Sequence, residues 1–188
     1  MNIPKQYATY FEPINAKCNI ELQDDKTKII VRDQFESFKI KVDHGILSDE
    51  SHGIRKSDFA IIENPDGNLY LIELKGAVID EAIKQLGETI QNIEQSAELQ
   101  FLLNNKDKLI SCVVSPNRQQ IPRGGSSRER ALAKKLFAKS RVKPRDMFQL
   151  IYYIKVVPRH GEASVNHKTR QVVCSNGNPL ILNELGRQ

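Results

Sequence analysis

Cysteine is too scarce and too scattered in this chain to organise it: Cys18, Cys112 and Cys174 are odd in number, far apart, and include no Cys-x-x-Cys pair. That excludes a disulfide framework and a thiolate zinc site, fits a reducing cytoplasm, and leaves Cys112 as a small core residue. Histidine is no better arranged, since His44, His52, His160 and His167 lack any zinc-ligand spacing and read as solvated loop residues. No apolar stretch reaches membrane length and no signal peptide is visible, which predicts a soluble, cytoplasmic protein without a membrane partner. Repeats, low-complexity segments and linkers are also missing. One domain is therefore expected, because 188 residues with 39% hydrophobic content can bury a single compact core.

What the chain does contain is concentrated between Ser57 and Gly76. Phe59-Ala60-Ile61-Ile62 and Leu69-Tyr70-Leu71-Ile72 are apolar runs of strand formers, joined by Asn64-Pro65-Asp66-Gly67-Asn68, a sequence suited to a tight turn. Runs apolar on both faces predict strands central in a sheet. Asp58 opens the first strand, and Glu73-Leu74-Lys75 closes the second. In a hairpin these ends lie side by side, so Asp58 and Glu73 should meet although fourteen residues separate them. The pleat has a period of two and points Glu73 and Lys75 to one side. Two carboxylates and an ammonium are the groups a Mg²⁺ site for phosphodiester hydrolysis needs. Asp58 and Glu73 would hold the metal, with the Leu74 backbone carbonyl as a third ligand. Lys75 would orient the water, act as its base, or stabilise charge on phosphorus. The competing reading is a solvated rim of strand-end charges.

This segment resembles the core of the PD-(D/E)XK nuclease superfamily, with Ser57-Asp58 at the place of Pro-Asp and Glu73-Leu74-Lys75 matching Glu-x-Lys. The likeness covers residues 50 to 115. It implies a restriction-endonuclease-like fold, Mg²⁺ as cofactor with Mn²⁺ able to substitute, and DNA as substrate. Gln85 is similar to a glutamine that RecB-like members carry after the lysine, where it binds substrate or orders the site; a polar residue on an exposed helix face is the alternative. Thr89 stands where an aromatic usually follows, so that part of the pattern is incomplete. Many members also carry an acid ahead of the Asp, for which Glu36 and Glu50 are the candidates.

Ile79, Ile83, Leu86, Ile90, Ile93 and Ala97 recur at steps of four and three, which predicts a helix from Val78 to Leu103. Leu109 to Val114 and Phe148 to Val157 read as strands, and strand–helix–strand predicts a parallel crossover. Upstream, Cys18 to Leu22, Lys28 to Val31 and Phe38 to Val42 also read as strands. The expected class is α/β, a mixed central β-sheet flanked by helices. Within one domain of residues 1–188, residues 1–50 form a β-rich extension, 51–115 the catalytic core, 116–147 a basic loop and helix, and 148–188 the C-terminal strands.

Charge points to the partner. Ten basic and two acidic residues lie between Arg118 and Asp146, a net +8 in a chain of net +5, so the remainder is −3. A polyanion held by phosphate contacts suits such asymmetry. Pro122-Arg123-Gly124-Gly125-Ser126-Ser127-Arg128-Glu129 reads as a loop entering a helix, with Ser126 and Glu129 at capping-box spacing. Arg118, Arg123, Ser126, Ser127, Arg128, Arg130 and Lys134 are thus the nucleic-acid-binding candidates. A lysine-rich solvated helix face is the alternative. The sequence therefore reads as a Mg²⁺-dependent deoxyribonuclease of restriction, repair, recombination or mobile-element type, with an endonuclease expected. Its rivals are a non-cleaving binding or assembly module of the same fold and an RNA-directed nuclease. A homodimer would supply the two sites that symmetric double-strand cutting needs.

Overall fold

The structure, a computed structural model, describes residues 3–24, 27–47, 55–63, 67–74, 78–103, 109–116, 120–122 and 151–186. In chain order its strands are β1 (Phe11–Ile14), β2 (Asn19–Asp24), β3 (Thr27–Arg32), β4 (Ser37–Lys41), β5 (Phe59–Glu63) and β6 (Leu69–Leu74). The helix α1 (Ile79–Gln95) follows, and then β7 (Leu109–Pro116), β8 (Ile151–Val156), β9 (Ser164–Asn166), β10 (Gln171–Cys174) and β11 (Leu180–Ile181).

The apolar hairpin forms as expected. β5 and β6 pair antiparallel from Phe59 opposite Ile72 to Ile62 opposite Leu69. Every residue of β6 is buried, and β5 is buried from Ala60 to Glu63. They lie inside an eight-stranded mixed sheet of order β1-β4-β5-β6-β7-β8-β10-β9. β4, β5 and β6 form an antiparallel meander, while β7 lies parallel to β6 and β8 parallel to β7. The helix between β6 and β7 is the crossover that parallel pairing requires.

Period-two alternation splits the sheet's side chains into two cores. On one face Ala60, Ile62, Leu69, Leu71, Val113 and Tyr153 pack with Ile83, Leu86, Ile90 and Ile93 of α1. On the other, Ile61, Tyr70, Ile72, Cys112, Val114 and Ile154 pack against a second sheet of order β11-β3-β2. Among the described residues, therefore, the fold is mixed α/β with one main helix, and strands rather than a helix cover the second face. The alternating burial of β2 and β3, which turns Ile20, Leu22, Ile29 and Val31 inward, explains why a sheet suffices there. No helix among the described residues is long and apolar enough to cross a membrane.

The helix is shorter than its sequence period suggested. It stops at Gln95, Ser96 turns to extended backbone, and a 3₁₀ turn follows at Gln100–Leu102. In a continued helix Leu99 would stand roughly 200° around the axis from Ala97. Breaking the helix lets Leu99 and Leu102 reach the core and leaves Ala97 exposed. Acidic Asp80 and Glu81 in the first turn suit the positive end of the helix dipole.

Candidate functional site

Extending the β5–β6 register by one residue sets Asp58 opposite Glu73. The Leu74 N–H donates to Asp58 Oδ2 at 2.7 Å, so the carboxylate is held against the neighbouring strand by a charge-assisted bond. Both acids continue the alternation of Ala60–Ile62 and Leu69–Leu71 and so share the α1 face of the sheet. Asp58 is half-buried, whereas Glu73 is 1% exposed. The structure thus brings the two acids together, which a solvated rim would not bury.

The other anticipated residues divide. Lys75 and Glu50 lie outside the described residues, as do Arg118, Arg123, Ser126, Ser127, Arg128, Arg130 and Lys134. Glu36 is exposed just before Ser37, which pairs with Glu63 at the opposite end of the sheet from Asp58, so it does not join the pair. Gln85 is half-buried, not on an open face, and its Nε2 donates to the Lys56 carbonyl at 3.0 Å. Two neighbours on α1 grip the same segment. The Arg55 N–H donates to Glu88 Oε2 at 2.8 Å, and the buried Ser57 N–H donates to Thr89 Oγ1 at 2.8 Å. The position that lacked the expected aromatic therefore holds a hydroxyl with a backbone partner.

Two further groups lie at this end. Lys56, its side chain 6% exposed, pairs with Asp43 at 3.5 Å, just beyond the Val42 N–H that donates to the Asp58 carbonyl at 3.1 Å. Lys155 of β8 pairs with Ser115 of β7. Glu73, Val113 and Tyr153 stand in register across β6, β7 and β8, and Lys155 lies two residues nearer the shared edge, on the same face as Tyr153. Strand spacing of ~4.8 Å and a rise of ~3.3 Å per residue put its Cα roughly 12 Å from that of Glu73. Lys155 has no local sequence signature and sequence reasoning missed it; only strand order reveals it.

A second polar cluster sits at the hairpin-turn end of the sheet. Glu63 Oε1 accepts from the Tyr70 hydroxyl at 2.8 Å and from Asn183 Nδ2 at 2.6 Å, and its Oε2 accepts from the Asn68 N–H at 2.8 Å. Gly67 passes so close to Glu63 that a Cβ there would overlap the carboxylate. Asp33, fully buried beside this network, accepts the Phe35 N–H at 3.1 Å. Burial pushes its carboxyl up to about 6; the Phe35 bond opposes the rise and the Glu63 charge adds to it. Burial, with Glu63 adding to it, also drives the Tyr70 hydroxyl upward and keeps it a donor. Both carboxylate oxygens of Glu63 are engaged within the fold, so this cluster joins the two sheets and offers nothing to a ligand.

Among the described residues, the two buried thiols and His167 serve the fold. Burial pushes the Cys112 and Cys174 thiols up to about 12, which leaves them protonated and inert near neutrality. His44 is exposed beside Asp43, while His167 Nδ1 lies 2.9 Å from the Tyr152 hydroxyl. That hydroxyl donates to the Leu185 carbonyl at 2.9 Å, so the imidazole supplies the proton of the shared bond. Among the described residues no three His, Cys, Asp or Glu side chains converge as a metal-binding group. Comparisons of the chain with protein-family models, with curated proteins and with solved structures found no match.

Proposed function

We propose that this chain is a Mg²⁺-dependent nuclease with a restriction-endonuclease-like core that hydrolyses DNA phosphodiester bonds. The observation that carries the reading is the opposition of Asp58 and Glu73 on adjacent central strands, with Asp58 Oδ2 fixed on the Leu74 N–H. The β5–β6 hairpin followed by a helix that covers the sheet is what the PD-(D/E)XK resemblance implies, and it supports the same reading.

The donor set suits the ion. Mg²⁺ prefers oxygen, and one or two protein carboxylates are its usual share, the rest coming from water and substrate phosphate. Asp58, Glu73 and the Leu74 carbonyl would hold it. When bound, Mg²⁺ polarises the phosphoryl oxygens and makes a water more acidic. The chain's own groups do the positioning: Asp58 is steadied by Leu74, Lys75 orients the attacking water, and Lys155 reaches an adjoining phosphate. The basic region of residues 118–145 supplies contacts to the nucleic-acid backbone.

The test is incubation of the purified chain with plasmid, linear and single-stranded DNA in Mg²⁺ or EDTA. Cleavage is expected in Mg²⁺ and none in EDTA, with Lys75→Ala inactive but still able to bind. Binding without cleavage in either Mg²⁺ or Mn²⁺ would assign the chain to a non-cleaving module. Lys155→Ala is expected to lower the slope of log affinity against log salt by about 0.9, the value of one lost phosphate contact on duplex DNA. An unaltered slope in fluorescence-anisotropy titrations would remove Lys155 from the interface.

A further inference from the structure

We infer that Thr89, assisted by Glu88, is a positioning residue for Asp58: the polar stripe of α1 fastens the backbone that delivers this carboxylate. The inference rests on the nuclease reading for its consequence in catalysis, but the fastening itself is a matter of geometry. One backbone group of each of three consecutive residues ahead of Asp58 is taken by a side chain of one helix. Glu88 accepts from Arg55, Gln85 donates to Lys56, and Thr89 accepts from Ser57, at 2.8, 3.0 and 2.8 Å. Residues 85, 88 and 89 are related by steps of three and four, so they form a single ridge beside the entering chain.

The reason lies in how the sheet ends. β4 stops at Lys41, and just past it the Val42 N–H donates to the Asp58 carbonyl. Residues 55–57 come before β5, yet Ser57 is fully buried and its N–H requires an acceptor. The helix supplies what a strand would have supplied. Threonine is a middling helix former, and at a fully buried helical position an aliphatic residue would serve packing better. The hydroxyl is retained where it meets that N–H. Asp58 is thereby located from two directions: its backbone through Ser57 and Val42, its carboxylate through Leu74. Partners behind a metal ligand commonly change metal affinity or activity by about 10–100-fold when removed.

The experiment compares the full chain with Thr89→Val, which keeps the shape and loses the acceptor, and with Thr89→Ser, which restores it. Two readouts need no turnover: Mn²⁺ affinity by electron paramagnetic resonance, and hydrogen exchange at the Ser57 and Leu74 amides. Thr89→Val is expected to weaken Mn²⁺ binding about tenfold and to speed exchange at both amides, while amides of β7 and β8 keep their rates. Thr89→Ser should return both quantities toward wild type. Wild-type Mn²⁺ affinity and Leu74 exchange in Thr89→Val would overturn the inference. Should the wild-type chain bind no Mn²⁺, the nuclease reading fails by itself, and the Leu74 amide alone decides the fastening: faster exchange sustains it, unchanged exchange ends it. If Thr89→Val does not fold, Glu88→Ala, at a half-buried position, carries the same readouts with the same expected directions. No change at Leu74 in that variant would likewise overturn the inference.

Discussion

Asp58→Asn is expected to lower Mg²⁺-dependent cleavage by about a hundredfold or more while the protein stays folded. The lower bound follows from ligand hierarchy, because losing even an outer-shell partner of a metal ligand costs about 10–100-fold. Asparagine is the informative replacement. Its carbonyl oxygen still accepts the Leu74 N–H that Asp58 Oδ2 accepts at 2.7 Å, so the β5–β6 edge keeps its bond. Only the charge is lost. The melting temperature should therefore remain within a few degrees of wild type, and DNA binding in EDTA should persist. Quantitative plasmid nicking across a Mg²⁺ series checks this, with calorimetry on the same preparations. A variant that cuts at wild-type rates would take Asp58 out of the chemistry, and with it the case for a site on this edge.

The largest effect on stability is expected at the opposite end of the sheet. Glu63→Leu removes an acceptor from the Asn68 N–H, the Tyr70 hydroxyl and Asn183 Nδ2 together. A buried donor left without a partner costs roughly 1–3 kcal/mol. Allowing for relaxation, the variant should lose about 3–5 kcal/mol, or on the order of 10 °C in melting temperature for a chain of this size. Asp33→Asn should act in the other direction. The Asp33 carboxyl titrates at about 6 in the folded protein against an ordinary 3.8. The folded state then binds more proton between those values, so stability falls as pH rises through about 4 to 6. At pH 8 the ionised group disfavours folding by on the order of 3 kcal/mol. The amide of the Asp33→Asn variant avoids that cost while its oxygen still accepts the Phe35 N–H. Urea unfolding at pH 4.5 and pH 8 distinguishes the cases: the wild type should weaken between them more than Asp33→Asn does. Equal slopes would mean that Asp33 titrates as in the unfolded chain.

The hairpin and its two acids were legible in the sequence because local rules suffice there. Two apolar runs, a Pro-Asp-Gly turn and a period of two determine register, and register brings Asp58 to Glu73. The crossover was readable for the same reason, since the α1 stripe from Ile79 to Ile93 is periodic. Its expected extension to Leu103 failed because Leu99 and Leu102 are out of phase with that stripe, a conflict that periodicity alone ignores. Thr89 was harder. A threonine inside a helix looks like a minor flaw until the buried Ser57 N–H stands opposite it. Asp43 and Lys155 were invisible for a topological reason, since they approach Asp58 and Glu73 only once β4 lies beside β5 and β8 takes its place beyond β7. The Asp33–Glu63 cluster draws on residues from both sheets, and no sequence window contains them.

The second sheet also constrains how the protein is made. β11 lies parallel to β3, with Leu180 paired to Val31, partners about 150 residues apart along the chain. A nascent chain can form the β2–β3 ribbon early, but the ribbon gains its outer neighbour only after residue 181 has left the ribosome. Until then Ile29 and Val31 await much of their cover, including Val172, Leu180 and Leu182 of the same core. Such distant pairing slows folding and prolongs the exposure of sticky intermediates. Ribosome-stalled chains that end short of β11 should accordingly be captured by chaperones and cut readily by protease, whereas chains released beyond it should resist both.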